Sequence, residues 1–375
     1  MSARVATYRQ CPKNCQIFEQ MARIVEVRRV AHPIGGHQPI RLISLVTMRR
    51  LRLSHLPTPI YHNAALDDLV GTELWVKMDD SNAGPASGNK IRKLEFLLAQ
   101  AIDERARTVI TCGGEQSNHA RATAIAAANL GLSSLLLLRT SDPARPPALT
   151  GNLLLNRLAG AELRFISVAE YAVRDALMVA EKEQLRARGE RAYIIPEGGS
   201  NGLGAMGWAE AMREVRAQLD LGLGGGPKPF DAVVHACGSG GTAAGCVLGG
   251  RLFGVANRVV AMAVCDDTAY FDNVIHSIVT SAQQLESSFT ELAALEIHDE
   301  WKGPAYAVAD TEQLKFITDV ARCSGLMLDP VYTGKALFGL SRMTDKPKRT
   351  LFLHTGGLPG LLAQAADFAQ LLSQP

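Results

Sequence analysis

From residue 48 onward, short apolar runs rich in β-branched residues alternate with longer segments of helical period, and no strands follow one another without a helix between them. That cadence predicts an α/β fold built on mostly parallel sheets. Strands are expected at 74–78, 108–112, 135–138, 163–166, 193–196, 232–237, 259–264 and 351–354, with helices between. Residues 91–105 and 119–130 place small or apolar side chains on a repeating face, and the second segment is Ala-rich enough to lie buried against a sheet. There is no internal repeat and no low-complexity tract; residues 221–229 form the one clear loop. Several strands run directly into glycine turns: Gly113-Gly114, Gly198-Gly199, Gly238 to Gly241 and Gly356-Gly357. In open α/β sheets ligands bind at the carboxyl ends of the strands, so the site is expected there.

A chain of 375 residues is long for one core and points to two domains. With 39 basic and 37 acidic residues the net charge is +2, which leaves no excess field for nucleic acid or an anionic membrane, and neither is expected as a partner. The seven cysteines are scattered, mostly in apolar segments, and read as free thiols in a reducing cytoplasm. Cys11 and Cys15 have no matching ligand pair after them, so no metal is expected. No apolar run approaches the roughly 20 residues of a membrane span, and the start lacks a signal-peptide core. Residues 1–47 are Arg-rich and acid-poor and lack the later cadence; they are expected to be a disordered or targeting extension, or an over-long start ahead of Met48.

Four segments carry candidate chemistry. The run from Val233 to Gly245 reads as strand, glycine turn and small-residue helix start. Free N–H groups at a helix N-terminus, with the hydroxyls of Ser239 and Thr242, make an anion cradle. The same letters satisfy a dinucleotide fingerprint, with Asp266-Asp267 after the next strand, or a plain packing turn. In Ser87-Gly88-Asn89-Lys90-Ile91-Arg92-Lys93, Lys90 and Lys93 share one face of a first helical turn, against the favoured sign of the helix dipole. They should find an anionic partner or face solvent. A lysine crowded by a second cation and shielded from water loses its proton readily, as a Schiff-base lysine must. Cys112 to His119 is again strand, turn and helix start, where Ser117 or Asn118 serves as an N-cap or the exposed N–H groups take a substrate carboxylate. Gly198-Gly199-Ser200-Asn201-Gly202 matches a hydrolase nucleophile elbow, with Asp329 and His354 in triad order, but Gly202, Gly204 and Gly207 should weaken any helix there.

Together these segments resemble the D-cysteine desulfhydrase and 1-aminocyclopropane-1-carboxylate deaminase family of pyridoxal 5'-phosphate (PLP) enzymes. The resemblance runs from about Leu56 to Pro359. It is carried by Pro57-Thr58-Pro59, Gly88 to Glu95, Gln116-Ser117-Asn118-His119, Gly198-Gly199-Ser200-Asn201, the Gly238 to Gly245 loop, Leu328 to Lys335, and His354-Thr355-Gly356-Gly357. It implies the two-domain PLP fold type II, similar to tryptophan synthase β, with an open, twisted, mostly parallel sheet flanked by helices in each domain. It also implies a larger cofactor domain (48–93 and 200–375), a smaller α/β domain (94–199) and a homodimer.

By that resemblance Lys90 carries PLP, and Lys93, Ser239, Gly240, Gly241 and Thr242 surround its phosphate. Asn118 meets the ring oxygen and Thr355 the pyridine nitrogen. Ser117, Tyr306 and Tyr332 take catalytic positions, while Ser117, Asn118, His119 and Thr333 face the substrate. The implied reaction is α,β-elimination from a small amino acid, D-cysteine foremost, to pyruvate, hydrogen sulfide and ammonia. Lys90 or Ser117 removes the α-proton and a tyrosine hydroxyl helps the thiol depart. Ring-opening deaminases of the family carry Tyr-Glu where this chain has Tyr332-Thr333, which favours the desulfhydrase reading. Glu115 and Ser87 depart from the pattern, at positions where an apolar residue and a glycine are expected. A carboxylate at Glu115 keeps β-chloroalanine, D-serine and diaminopropionate among the candidate substrates. Outside the family the rivals are a dinucleotide-dependent oxidoreductase and a non-catalytic cofactor-binding protein.

Overall fold

The computed structural model describes residues 48–373, so the expectations for residues 1–47, Cys11 and Cys15 included, lie outside the described residues. The first elements are β1 (Ile60–His62), α1 (Ala64–Val70) and β2 (Glu73–Met78). Asn63 caps α1 by accepting from Ala65 N at 2.9 Å. Next comes α2 (Asn89–Asp103), which buries 11 of its 15 residues, Lys93 and Arg92 included. An unbroken α/β run follows: β3 (Thr108–Gly114), α3 (Asn118–Asn129), β4 (Ser133–Arg139), α4 (Gly151–Leu158), β5 (Glu162–Ile166), α5 (Val168–Ala172), α6 (Arg174–Ala187) and β6 (Ala192–Ile194). Its four strands form one parallel sheet in the order β5-β4-β3-β6.

After α7 (Gly202–Asp220) come β7 (Ala232–Cys237), α8 (Gly241–Leu252), β8 (Arg258–Ala263), α9 (Thr268–Leu285) and β9 (Ala294–His298). The chain ends with α10 (Thr311–Ser324), α11 (Thr333–Arg342), β10 (Arg349–His354), α12 (Leu358–Ala363) and α13 (Ala365–Leu372). The second sheet has the order β1-β2-β10-β7-β8-β9 and is parallel except for β1. Every residue of β7 and β10 is buried, because helices cover both faces. Val233 and Leu351 point into a core with Trp208, Met212, Leu248 and Phe271. The alternate residues Val234 and Phe352 point into another with Leu66, Phe316 and Leu337.

All eight expected strands are present, with ends displaced by up to two residues. Two more, β1 and β9, fall outside that expectation, and both are edge strands. β9 is only half buried and carries Glu296 and His298, so it lacks the apolar run that marks a central strand. The expected weakness of a helix at Gly202 is corrected: α7 starts there and runs for 19 residues. The cause is packing against α2 and the preceding turn. A Cβ on Gly207 would overlap the backbone of Arg92, and one on Gly204 would overlap Gly199 O. Close approach of the two backbones outweighs the ~1 kcal/mol that each glycine costs a helix.

Candidate active site

The ends of β7 and β10 and the first turns of α2 and α3 converge on a pocket. Its wall includes Asn89, Lys90, Asn118, Gly238, Ser239, Gly240, Thr242, Tyr332 and Thr355, with His235, Ala236, Cys237 and Ala243 behind them, and no aspartate or glutamate. Seven of the residues expected at the site, Lys90, Asn118, Ser239, Gly240, Thr242, Tyr332 and Thr355, are thus brought together from segments up to 265 positions apart.

Lys90 stands on the first turn of α2. The turn is pinned from behind by Arg92, which bonds Asp79 at 2.5 and 2.8 Å and Glu214 at 2.9 Å, while Trp208 Nε1 donates to Asn89 O at 3.1 Å. Among the described residues no hydrogen bond engages Lys90 Nζ. Burial lowers its pKa to about 8, against the weaker opposing pull of Cys237 and Glu197. Lys93 is fully buried and donates to Gly198 O at 3.1 Å and Ser200 Oγ at 3.2 Å. Of the two expected outcomes for Lys93, burial excludes solvent, and no carboxylate of the described residues serves as its anionic partner. Burial first, and the charge of Lys90 second, pull its pKa well below the usual lysine value.

The turn after β7 lies directly over this ammonium. A Cβ on Gly241 would come within 2.8 Å of Lys93 Nζ and 2.6 Å of Ser200 Oγ, so no side chain fits at this position. Gly240 caps α8 with φ +78°, a left-handed conformation that favours glycine. Asn89 Nδ2 donates to Thr242 Oγ1 at 3.0 Å, which leaves the Thr242 proton free to donate into the pocket. Ser200 Oγ and Ser239 Oγ are 2.9 Å apart. A buried ammonium without a counter-charge, a helix N-terminus and two hydroxyls fit a phosphate. A lysine of lowered pKa beside it fits a carbonyl partner. This donor set fits PLP.

Tyr332 of the pocket wall shares a 2.6 Å hydrogen bond between hydroxyls with Tyr306, which is not itself part of the wall. The Tyr306 ring rests on Gly114 and the Tyr332 ring on Gly238, so the pair bridges the turns after β3 and β7. Burial raises the Tyr306 pKa to about 12 and that of Tyr332 well above its ordinary value, keeping both phenols protonated at neutral pH. Ser117 is the N-cap of α3, accepting from Ala120 N at 3.1 Å, and is packed so closely on Gly113 that a Cβ there would overlap it.

Three expected substrate contacts, Ser117, His119 and Thr333, are not among the residues of the pocket wall. His119 is buried with Nε2 2.9 Å from Thr111 Oγ1, and its burial beside two lysines holds its pKa well below the ordinary value. Thr333 is fully buried; its hydroxyl donates to Asp329 Oδ1 at 2.7 Å and accepts from Asp329 N at 3.0 Å. The rival constellations dissolve on the same terms. Ser200 bonds Lys93, Ser239 and Gly241 N rather than a histidine, Asp329 accepts from the N–H groups of Val331, Tyr332 and Thr333, and Asp267 caps α9 by accepting from Tyr270 N. Sequence reasoning gave Asn89 no role and Ser200 only that of a rival nucleophile, although both lie inside quoted motifs. Their adjacency to Lys90 and to the Gly198-Gly199 turn was the available signal.

The family model for pyridoxal-phosphate dependent enzymes matches residues 51–356. A relative from Arabidopsis thaliana, named bifunctional D-cysteine desulfhydrase/1-aminocyclopropane-1-carboxylate deaminase, mitochondrial, is 46% identical over 335 residues, covering 85% of this chain and 81% of its own. Among solved structures, an ACC deaminase homologue superposes with a TM-score of 0.79 at 32% identity, over 87% of this chain and 97% of the other. A fungal L-serine ammonia-lyase from Rhizomucor miehei, with a TM-score of 0.54 at 17% identity over 81% of this chain and 94% of its own, shares the fold. The expected fold, PLP fold type II, and the expected cofactor, PLP, both stand on these likenesses. With a lysine, a phosphate cradle and a matched core spanning most of the sequence, the chain belongs to the pyridoxal-phosphate dependent enzymes, in the D-cysteine desulfhydrase/1-aminocyclopropane-1-carboxylate deaminase family.

Proposed function

We propose that the chain eliminates the β-substituent of a small amino acid, with D-cysteine as the substrate that fits best, yielding pyruvate, hydrogen sulfide and ammonia. The observation that carries this reading is the composition of the pocket wall: hydroxyls, amides, one lysine and the buried His235 and Cys237, with no carboxylate. A thiol, with an ordinary pKa near 8.5, departs with no more help than a phenol gives, whereas opening a cyclopropane ring leaves charge on carbon and calls for a stronger acid.

In this reading Lys90 Nζ holds the cofactor, Lys93, Ser239, Gly240, Gly241 and Thr242 hold its phosphate, Asn118 its ring oxygen and Thr355 its ring nitrogen. PLP, when bound, withdraws electrons from the substrate's α-carbon and so acidifies the α-proton. A hydroxyl at the ring nitrogen, in place of a carboxylate, leaves that pull moderate, and the protein's own groups must assist. Lys90 Nζ, near pKa 8, would serve as the base that takes the α-proton, with Ser117 Oγ as the alternative base. The substrate carboxylate lies at the turn before α3, where the first N–H groups face outward. The Tyr306–Tyr332 pair, its phenols kept protonated, helps the thiol depart by donating a hydrogen bond to the leaving sulfur.

The test is sulfide and pyruvate release from D-cysteine and from L-cysteine, with 2-oxobutyrate release from 1-aminocyclopropane-1-carboxylate measured in parallel, alongside the visible spectrum and a Lys90→Ala variant. Yellow protein that loses its colour in the variant and releases sulfide from D-cysteine supports the proposal. 2-Oxobutyrate without sulfide replaces it with the deaminase reading, and a protein that takes up no PLP overturns it.

No described helix is long and apolar enough to cross a membrane. The free thiols Cys112, Cys237, Cys246, Cys265 and Cys323 support a reducing, cytoplasmic setting, which imaging of the tagged full chain tests. We further propose a homodimer. The packed pair α4 and α12 exposes Leu154, Leu158, Leu358 and Leu362, apolar surface of the kind that marks an interface. Light scattering that gives a monomer mass would refute it.

A further inference from the structure

We propose that Asn152 is a positioning residue that fixes the Asn118 side-chain amide as a hydrogen-bond donor into the pocket; the inference rests on the PLP reading of that pocket. Asn152 stands on the first turn of α4, is fully buried, and lies outside every motif that marks the family. Its Nδ2 donates at once to Gln116 O at 2.8 Å and to Asn118 Oδ1 at 3.0 Å.

The two bonds together settle an orientation that neither settles alone. The oxygen and nitrogen of an amide side chain have nearly the same shape, so which end points where must be read from partners. A backbone carbonyl only accepts, so the Asn152 atom facing Gln116 O must be the nitrogen. That same nitrogen faces Asn118, so the Asn118 atom receiving it must be the oxygen. Asn118 lines the pocket, and with Oδ1 held by Asn152 its free polar end is Nδ2, which has no hydrogen bond among the described residues. The pocket is therefore offered a donor and denied an acceptor at this point, which suits an anionic ring oxygen.

Asn152 is itself held in place. Its backbone N–H donates to Gln116 Oε1 at 2.8 Å, and Gln116 Nε2 donates to Thr150 O at 3.2 Å, so the Gln116 amide is oriented by main chain on both sides. Gly151, at φ +50°, lets α4 begin so close to α12 that a Cβ there would come within 2.5 Å of Pro359 O and 2.6 Å of Gln116 Oε1. The orientation thus passes from main chain through Asn152 to Asn118, with no freely rotating group between.

The experiment is a pH titration of the visible absorbance of the PLP-loaded protein. Asn152→Asp, nearly isosteric, replaces the donor with an acceptor that Asn118 can satisfy only by turning its Nδ2 away from the pocket. Asn152→Ser removes the bridge without adding charge, and is read if the aspartate variant fails to fold. Loss of a donor aimed at the ring oxygen disfavours the more negative form of the cofactor, so the titration midpoint should rise by about one pH unit in either variant. In an Asn118→Ala background the same changes should produce no further shift, because the path to the cofactor is gone. An unchanged midpoint, or a shift that persists without Asn118, overturns the inference. Failure of the unaltered protein to take up PLP overturns the proposed function instead, and the inference with it.

Discussion

Removing one charge behind α2 tests how the first turn that carries Lys90 is held. Lys77, Arg92 and Asp79 are fully buried, and Glu214 of α7 closes the group, giving two cations and two anions. Glu214 Oε1 accepts from Lys77 Nζ at 2.5 Å and Thr58 N at 3.0 Å, and Oε2 accepts from Arg92 Nη1 at 2.9 Å. Although burial opposes it, Arg92 and Lys77 hold the Glu214 pKa at about 2 rather than 4.5. A carboxyl shifted that far contributes about 3 kcal/mol by linkage, and breaking a buried pair from one side costs about 3–5 kcal/mol. Glu214→Gln leaves one buried positive charge uncompensated. At roughly 2 cal/mol/K of unfolding entropy per residue, the melting temperature should fall by about 4–7 °C at pH 7. The sign of the pH dependence follows from a depressed folded pKa: the contribution is complete above 4.5 and is lost as pH falls toward 2. Calorimetry from pH 7 down to pH 3 should show the gap between the two proteins narrow below pH 4.5. A gap absent at pH 7, or constant down to pH 3, would refute the reasoning.

Other outcomes follow from single positions. Tyr306→Phe removes the 2.6 Å bond to Tyr332 and should lower kcat/KM for the eliminated substrate by about 10–100-fold, with a melting temperature near that of the unaltered protein; initial rates and a melt check both parts. PLP uptake needs the neutral amine of Lys90, so its rate should climb about tenfold per pH unit up to about pH 8 and then level off, as stopped-flow absorbance would show. Thr333→Glu should lower stability without conferring deaminase activity, because the new carboxylate would be buried against Asp329; a melt and a 2-oxobutyrate assay read the two halves. Gly241→Ala should weaken PLP binding measurably by fluorescence titration, since its methyl group meets Ser200 and Lys93.

The buried parallel strands were legible because a strand covered on both faces must carry a largely apolar run, as Val233-Val234 and Leu351-Phe352-Leu353 do. β1 and β9 were not, since β1 has only three residues and β9 is half-exposed and carries Glu296 and His298. Helix α7 was misjudged for a reason local propensity cannot reveal: glycine is expensive within a helix and indispensable where another backbone crosses it, and which applies is a tertiary fact. The pocket itself was legible as a set of turns, but the direction of each side chain was not. His119 and Thr333 sit beside true pocket residues in sequence, yet helix geometry swings neighbours about 100° apart, and both turn inward to Thr111 and Asp329.

The competing readings of Ser117 and the Gly238 turn, structural cap against ligand site, turn out to be compatible, and the reason is general. A helix N-terminus leaves several N–H groups without partners, and whatever satisfies them, side chain or ligand anion, answers the same electrostatic demand. Ser117 Oγ accepts from Ala120 N and still carries a proton to donate. Thr242 accepts from Asn89 and keeps its own proton likewise. A hydroxyl can therefore stabilise the fold with its lone pair and serve a cofactor or substrate with its hydrogen. Lys93 lacks this dual capacity: an ammonium only donates, its two partners here are neutral oxygens, and its charge is left for an anion to meet. That asymmetry makes Lys93, rather than the glycines or hydroxyls around it, the feature of the turn that a packing role alone does not explain.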